Sequence, residues 1–185
     1  KVTEAEVGEM LRDLKKLPDQ VEMLLSHKEK IQKFANRFIA AKDIFFIGRN
    51  LDYSMSLEGS LKLKEISYIH SEAYAAGELK HGTISLIEDG TLVVSLATQD
   101  MLFDKMMSNV KEVKARGAVV LGLTTEKHKE IEKTADHVFY IPSTEDILLP
   151  SLAVVPLQLF AYYVASMKGC DIDKPRNLAK SVTVE

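Results

Sequence analysis

Four short runs of apolar and β-branched residues, spread over the middle of the chain, constrain the fold more than any other feature. They lie at residues 44–47, 92–97, 118–123 and 138–141. Each run is continuous and lacks the alternation expected of a strand that has one face in water. Strands of this kind are buried on both faces, which is typical of a parallel sheet covered by helices on each side.

Helical segments separate these runs, for example at residues 103–116 and 149–168. Glycines mark the breaks, because Gly48 follows the first run and Gly117 lies between a helical segment and the third run. Residues 72–76 supply a candidate fifth strand. The pattern therefore predicts the α/β class, as a doubly wound, three-layer α/β/α arrangement around a parallel sheet.

The amino-terminal part of the chain carries two helical patterns. Thr3 followed by Glu6 forms a capping-box pattern, and apolar residues then repeat at helical spacing until Pro18. Residues 21–41 form a second amphipathic run. We interpret the apolar faces of both helices as packing on the core. In the last helical segment, Pro156 predicts a kink or a restart of the helix.

Composition excludes several classes of function. A chain of 185 residues, 46% hydrophobic and 28% charged, predicts one ordinary globular domain. A formal net charge of -3 without a Lys/Arg block argues against nucleic acid as a partner. We find neither an apolar run that approaches the length of a bilayer span nor a signal-peptide core, so we expect no membrane partner and a cytoplasmic location. The single cysteine, Cys170, cannot form an internal disulfide, and no cluster of ligand residues predicts a metal site.

Ligands of doubly wound sheets bind beyond the carboxyl ends of the strands. In this chain that edge corresponds to the loop after Ile47, to residues 74–82 and to residues 98–100. The loop Gly48-Arg49-Asn50 leads into a helix whose amino end could attract an anion. One glycine without a Ser/Thr cluster, however, is more typical of a plain strand-to-helix turn.

Three charged residues share one stripe of the helix that follows the first strand. Glu58, Lys62 and Glu65 stand at positions i, i+4 and i+7. Taken alone, such a stripe is typical of a solvated helix face, and one Glu–Lys pair stabilises a helix by only about 0.2–0.5 kcal/mol.

Two separated segments change that interpretation. Residues 57–82 read LEGSLKLKEISYIHSEAYAAGELKHG, and residues 173–185 read DKPRNLAKSVTVE. Both resemble, in the same order, segments of the glutamine:fructose-6-phosphate aminotransferases, also called glucosamine-6-phosphate synthases. The similar region is the carboxyl-terminal sugar isomerase (SIS) lobe of these enzymes. The resemblance implies a flavodoxin-like fold with a five-stranded parallel sheet.

The resemblance also implies catalytic roles. Glu65 is expected to be the general base that moves a proton between the first two carbons of the open-chain sugar, with Lys62 one turn away. His81 is expected to assist opening of the sugar ring. Lys180 is expected to act at the ketose, either through a Schiff base or by proton transfer to the ring oxygen.

Further implied residues concern binding rather than proton transfer. Glu58 and Ala179 are expected to contact the substrate, and Arg176 and Asn177 to anchor a terminal segment that covers the site. The phosphate of the sugar is gripped in this family chiefly by a Ser/Thr-rich loop of the other lobe. No comparable run is present in this sequence. Phosphate binding is therefore expected of the other lobe.

The same resemblance implies how the chain is divided and what it works with. Residues 1–42 are expected to be helices that link to or pack on the lobe, residues 43–169 the SIS domain, and residues 170–185 the active-site tail. The implied function is conversion of fructose 6-phosphate and glutamine-derived ammonia to glucosamine 6-phosphate, without a cofactor. The implied partners are the other lobe, the glutaminase domain and a second subunit that supplies His81. We expect the chain to be an excised or truncated lobe.

Two alternatives stay open at this point. One is a standalone sugar-phosphate isomerase or deglycase of the same fold, against which the terminal segment argues. The other is a non-catalytic, sugar-phosphate-binding SIS module that regulates a partner. A sensor has no need of Glu65 together with Lys180, and turnover that survives the change Glu65→Gln would favour it.

Overall fold

A computed structural model of the protein describes residues 3–177. Its centre is a parallel sheet of five strands in the order β2-β1-β3-β4-β5. The strands are β1 (Asp43–Gly48), β2 (His70–Ala75), β3 (Leu92–Ala97), β4 (Val119–Thr125) and β5 (His137–Ile141). This order is that of flavodoxin-like folds, in which the chain reverses direction across the sheet between β1 and β3. The predicted five-stranded, three-layer α/β/α fold is confirmed.

Five α-helices accompany the sheet among the described residues. They are α1 (Glu4–Ser26), α2 (Lys28–Ala35), α3 (Leu51–Ser67), α4 (Phe103–Lys114) and α5 (Leu149–Met167). Helices α1, α2, α3 and α5 contribute to the apolar core on one face of the sheet. Helix α4 and short 3₁₀ segments form the core on the other face. Because both faces are covered, β1, β3 and β4 are buried along nearly their whole length, as their continuous apolar sequences predict.

The edge strand β2 was predicted with less accuracy than the central strands. It spans His70–Ala75 rather than residues 72–76, and most of its residues are only partly buried. A strand with one neighbour and partial exposure carries polar residues such as Ser71 and Glu72. β2 therefore has no continuous apolar run to mark its ends.

The amino-terminal helices differ from the sequence-based prediction. Helix α1 does begin with the predicted capping box, in which the Thr3 hydroxyl accepts a hydrogen bond from the Glu6 N–H and Glu6 caps the backbone of Thr3. It passes through Pro18 and ends at Ser26. Proline leaves the carbonyl four residues earlier without its helical partner, and water can replace that partner because Pro18 and Leu14 are both exposed. The second predicted run is split between α1, α2 and a 3₁₀ turn.

The interpretation that the first apolar face packs on the core holds for only half of α1. Leu24 is buried, and Leu17 and Val21 pack against the core. Leu11 and Leu14, by contrast, are 52% and 49% exposed. The amino-terminal turns of α1 therefore extend beyond the core of this lobe.

Helix α5 corrects two expectations. It continues through the buried Pro156 as one helix, without the predicted restart. By length and composition it could also cross a membrane, since it has 19 residues and a mean hydropathy of 1.4. Half of the apolar stretch of this helix is buried inside the fold, and residues such as Leu157, Phe160 and Val164 belong to the core. The helix is apolar because it packs against the sheet and α3.

Candidate functional site

The carboxyl edge of the sheet is organised around the turn between β1 and α3. Gly48 ends β1, and a Cβ atom at this position would lie 2.4 Å from the backbone carbonyl carbon and oxygen of Asp52. Only glycine allows the helix to start so close to the strand. Asn50, at the helix start, has a φ of 51°, a conformation that few non-glycine residues adopt.

Asp52 joins this turn to the end of β3. It is 2% exposed, and its two carboxylate oxygens accept hydrogen bonds from the Thr98 backbone N–H at 2.8 Å and the Thr98 hydroxyl at 2.6 Å. Desolvation by burial raises the pKa of Asp52, and the bonds from Thr98 oppose that shift. The first turn of α3 is thus fixed to the loop that follows the next strand of the sheet.

A second group of polar side chains closes the same edge. The Gln99 amide donates to the Arg49 carbonyl at 2.9 Å and accepts from the Asn50 amide at 3.1 Å. The Arg49 guanidinium donates from Nε and Nη2 to Oδ1 of Asn109, at 3.1 Å and 3.0 Å. These contacts fit the plain strand-to-helix turn predicted for the Gly48 loop. Sequence reasoning placed Gln99 at this edge, but it missed Asp52 and Asn109.

The predicted charged stripe is present on α3. Lys62 Nζ lies 2.7 Å from Glu65 Oε2 and 3.9 Å from Glu58 Oε1. The side chains of all three residues are partly exposed, Glu65 the least at 22%. The hydrogen bond to Glu65 raises the pKa of Lys62, so this amine carries its charge at neutral pH. The structure therefore joins three of the predicted site residues into one ion-pair group.

An open cavity of about 540 Å³ lies beside this group, between α3 and α5. Glu58 and Leu61 of α3 and Pro150 and Val154 of α5 are among its lining residues. Leu61 is 42% exposed. Of the three charged residues, Glu58 lines this cavity, whereas Lys62 and Glu65 are not among its lining residues.

His81 lies elsewhere in the chain, at the end of the 3₁₀ segment Leu79–His81. Its side chain is exposed. No hydrogen bond or ion pair within residues 3–177 joins it to Glu58, Lys62 or Glu65. Ala179 and Lys180 lie outside the described residues.

The last described residues contact the end of α3. The Arg176 backbone N–H donates to the Tyr68 hydroxyl at 2.8 Å, and the Arg176 guanidinium lies 4.2 Å from the centre of the Tyr68 ring. Tyr68 caps α3 and stands three residues after Glu65. Within residues 3–177 there is no group of three or more His, Cys, Asp or Glu side chains placed to hold a metal ion.

Comparisons with known proteins agree with this architecture. The family described as SIS domain matches residues 37–168. Glutamine–fructose-6-phosphate aminotransferases from Caldanaerobacter subterraneus subsp. tengcongensis and Clostridium acetobutylicum are 61% and 58% identical over 184 residues. These matches cover 100% of this chain and 30% of each of those proteins. The chain thus spans under a third of the length of these relatives.

Two solved structures give the same result in three dimensions. The C-terminal domain of glucosamine-fructose-6-phosphate aminotransferase from Francisella tularensis has a TM-score of 0.89 and 36% identity, over 94% of this chain and 49% of that one. A glucosamine-6-phosphate deaminase from Thermotoga maritima has a TM-score of 0.63 and 28% identity, over 86% and 48% of the two chains. The resemblance to the aminotransferases is confirmed, and the chain belongs to the SIS domain family.

Proposed function

We propose that this chain is the isomerase lobe of a glucosamine-6-phosphate synthase. The complete reaction is D-fructose 6-phosphate plus glutamine giving D-glucosamine 6-phosphate plus glutamate. The observation that carries the proposal is the Lys62–Glu65 ion pair at 2.7 Å, in a chain that is similar along its whole length to aminotransferases of this name. The ammonium group holds one carboxylate oxygen of Glu65 in place, and on this partly exposed helix face the other oxygen can take and return a proton.

The chemistry assigned to this lobe begins with the open-chain ketose. Ammonia adds to the C2 carbonyl and water leaves, which gives an imine. Glu65 removes a proton from C1, the electron pair of that C–H bond forms a C1–C2 double bond, and the electron pair of the C2–N double bond moves onto nitrogen, which takes up a proton and becomes an amino group. A proton then returns to C2 while the C1 hydroxyl loses its own proton. The product is the aldose amine, and proton transfer by side chains accounts for every step without an organic cofactor.

Lys62 supports this role of Glu65 by occupying one of its two oxygens. Its ammonium group donates to Glu65 Oε2, whereas no described residue donates a hydrogen bond to Oε1. Oε1 is therefore the oxygen that we assign to proton abstraction. Because the pKa of Lys62 is raised, Lys62 is a fixed cation and not a base. Glu58, on the other side of Lys62, borders the cavity, which supports its assignment as a substrate contact.

Ring opening is assigned to His81 and Lys180, with Ala179 as a further substrate contact. Arg176 is fixed to Tyr68, and Lys180 follows only four residues later. Four residues span at most about 14 Å of extended chain, to which the lysine side chain adds its own length. Tyr68 lies one helical turn after Glu65. This reach supports the meeting of Lys180 and Glu65 around one substrate.

The proposed partners follow from the same assignment. The substrate and product are fructose 6-phosphate and glucosamine 6-phosphate, whose phosphate is held by a second SIS lobe. A glutaminase domain supplies ammonia. A homodimer is proposed because the resemblance to the aminotransferases implies that His81 serves the site of the neighbouring subunit. The proposed location is the cytoplasm, with no nucleic acid or membrane as partner.

The test uses the full-length enzyme that contains this lobe, with Glu65→Gln compared to wild type. The assays are formation of glucosamine 6-phosphate, hydrolysis of glutamine, and exchange of the C1 proton of fructose 6-phosphate with deuterated solvent. Loss of a general base lowers the rate by about 10²–10⁴-fold. We expect such a loss in amino-sugar formation and in C1 exchange, with glutamine hydrolysis retained. Glu88→Gln, at an exposed loop position, is the matched control.

The outcomes separate the alternatives. If the Glu65→Gln enzyme forms glucosamine 6-phosphate at a rate within a few-fold of wild type, Glu65 is not the general base. Binding of fructose 6-phosphate without turnover by the wild-type enzyme would favour a sugar-phosphate sensor. Isomerisation that does not depend on glutamine or ammonia would favour a standalone isomerase.

A further inference from the structure

We infer that a cavity at the β5 edge of the sheet binds a free α-amino acid with an apolar side chain. The cavity has a volume of about 200 Å³ and lies between the end of α1, the first half of α2 and strand β5. It shares no lining residue with the cavity beside Glu58. The inference therefore concerns a second site, and it does not depend on the chemistry proposed at Glu65.

The inner wall of this cavity is apolar. Leu24 of α1 and Ile31 of α2 are 8% and 6% exposed, and Pro156 of α5 is buried. Phe139 of β5, which is partly buried, lines the same space. A dry cavity of about 150 Å³ can hold benzene, so one of about 200 Å³ has room for about eight non-hydrogen atoms. The side chain of leucine, isoleucine or phenylalanine fits in that volume.

Charged residues of both signs line the same cavity. Lys30 of α2 and Glu126, which directly follows β4, are exposed and belong to its lining. Within residues 3–177 they form no ion pair with each other or with any other residue. An ammonium group and a carboxylate that share a cavity without pairing leave space between them for a ligand that carries both charges. An α-amino acid is such a ligand, and its charged groups form strong hydrogen bonds with side chains of opposite charge.

The two sides of the opening differ in charge, which gives the ligand a direction. Tyr140 lines the strand side, and its hydroxyl donates to Glu132 Oε1 at 2.6 Å. Burial raises the pKa of Tyr140 to about 12, and negative charges, that of Glu126 among them, contribute to the shift. The strand side is thus negative, whereas Lys30 lies on the helix side. The ammonium group of the ligand therefore faces Glu126, and its carboxylate faces Lys30.

The position of the cavity in the fold is also suited to a ligand. Tyr140 and Pro142 lie at the carboxyl end of β5, and Glu126 lies just beyond the carboxyl end of β4. In open α/β sheets, ligands bind outside the carboxyl ends of the strands. Strand β5 is at the opposite edge of the sheet from β2. A ligand here is therefore remote from the turn at Gly48.

The binding test uses equilibrium dialysis of the full-length protein that contains this lobe against radiolabelled L-leucine. We expect saturable binding with a Kd of about 1 mM or lower, which a ligand of this size can reach. Unlabelled L-isoleucine should compete. Isocaproate is leucine without its ammonium group, and isoamylamine is leucine without its carboxylate. Each should compete about tenfold less well or worse, because it loses hydrogen bonds to one charged side chain.

Variants assign the binding to this cavity. Lys30→Met and Glu126→Gln should each raise the Kd for L-leucine by about tenfold. In Lys30→Met, isoamylamine should compete as well as L-leucine, because the carboxylate no longer gains a contact. In Glu126→Gln, isocaproate should do so for the corresponding reason. Lys28→Met and Glu29→Gln change exposed residues of α2 outside the cavity lining, and these matched controls should keep the wild-type Kd.

The outcomes distinguish this inference from the proposed function. Absence of saturable L-leucine binding to the wild-type protein contradicts the inference, as does binding that Lys30→Met and Glu126→Gln leave unchanged. If isocaproate or isoamylamine competes with the wild-type protein as well as L-isoleucine does, the cavity does not recognise a zwitterion and the assignment is wrong. L-leucine binding with the expected variant pattern, in a protein that forms no amino sugar, supports this site and contradicts the proposed function alone.

Discussion

Asp52 and Thr98 are 46 residues apart in sequence, and both carboxylate oxygens of Asp52 bind Thr98. The contact joins the first turn of α3 to the end of β3. It lies next to the point between β1 and β3 where the order of strands along the chain reverses. Glu58, Lys62 and Glu65 lie on the same helix. The contact therefore helps to fix the position of these charged residues relative to the sheet.

Replacement of Asp52 is expected to separate hydrogen bonding from charge. Asp52→Ala leaves the buried Thr98 N–H without its partner, and we expect a loss of about 1–3 kcal/mol in the free energy of unfolding. Asp52→Asn keeps an acceptor for that N–H, and its amide can donate to the Thr98 hydroxyl. It also removes a charge that burial disfavours. We therefore expect Asp52→Asn to stay within about 1 kcal/mol of wild type in urea unfolding. Equal losses in both variants would contradict this account.

Replacement of Gly48 by alanine is expected to disturb the same turn by steric conflict. The added methyl group of Gly48→Ala would meet backbone atoms of Asp52 at 2.4 Å and the Tyr53 nitrogen at 2.6 Å, and backbone cannot move aside as a flexible side chain can. We expect a loss of about 1–3 kcal/mol in the free energy of unfolding. Gly8→Ala is the matched control, because its methyl group meets only the Arg12 side chain at 3.5 Å, within a helix. Alanine there should stabilise the protein by about 0.5–1 kcal/mol.

The central architecture could be predicted because its signals are local. A strand buried on both faces is apolar at most positions, so β1, β3 and β4 are visible in the sequence. The edge strand β2 lacks this requirement and its bounds were therefore shifted. Pro18 was interpreted as a helix end because sequence alone does not reveal that the freed carbonyl faces water.

The site divides in the same way. The spacing of Glu58, Lys62 and Glu65 follows from helical geometry, and their ion pairs were predictable as soon as the helix was identified. The hydrogen bonds from Thr98 to Asp52 and from Arg49 to Asn109 join residues 46 and 60 positions apart. These bonds depend on which strands are neighbours in the sheet, and no local sequence pattern predicts such pairs.

His137 makes stability depend on pH. Burial lowers the pKa of His137, and the nearby Arg37 guanidinium, which donates to its Nε2, lowers it further. The unfolded chain therefore binds more protons than the folded chain at pH values below about 6.5, so unfolding becomes easier as the pH falls through that window. In urea unfolding at pH 7.5 and pH 5.5, we expect the pH-dependent difference to be smaller in His137→Gln. Arg37→Met, which removes the cation, should also reduce it. A wild-type pH dependence that both variants retain would exclude His137 as its source.

Lys62 offers the sharpest test of how the ion-pair group works, because its amine contacts Glu65 directly and lies 3.9 Å from Glu58. In the full-length enzyme, Lys62→Met removes the cation that holds Glu65 Oε2 and leaves two carboxylates on one helix face. A misplaced catalytic group can cost about 10²-fold, and we expect kcat for amino-sugar formation to fall by about that factor while glutamine hydrolysis continues. Lys62→Arg keeps the charge but spreads it over a planar group, so the kcat of this variant should lie between those of the wild type and Lys62→Met. The matched control is Lys64→Met, an exposed lysine two positions further along α3, which should retain wild-type kcat. A Lys62→Met enzyme that matches the Lys64→Met control in kcat and KM would show that the ion pair serves only the helix surface.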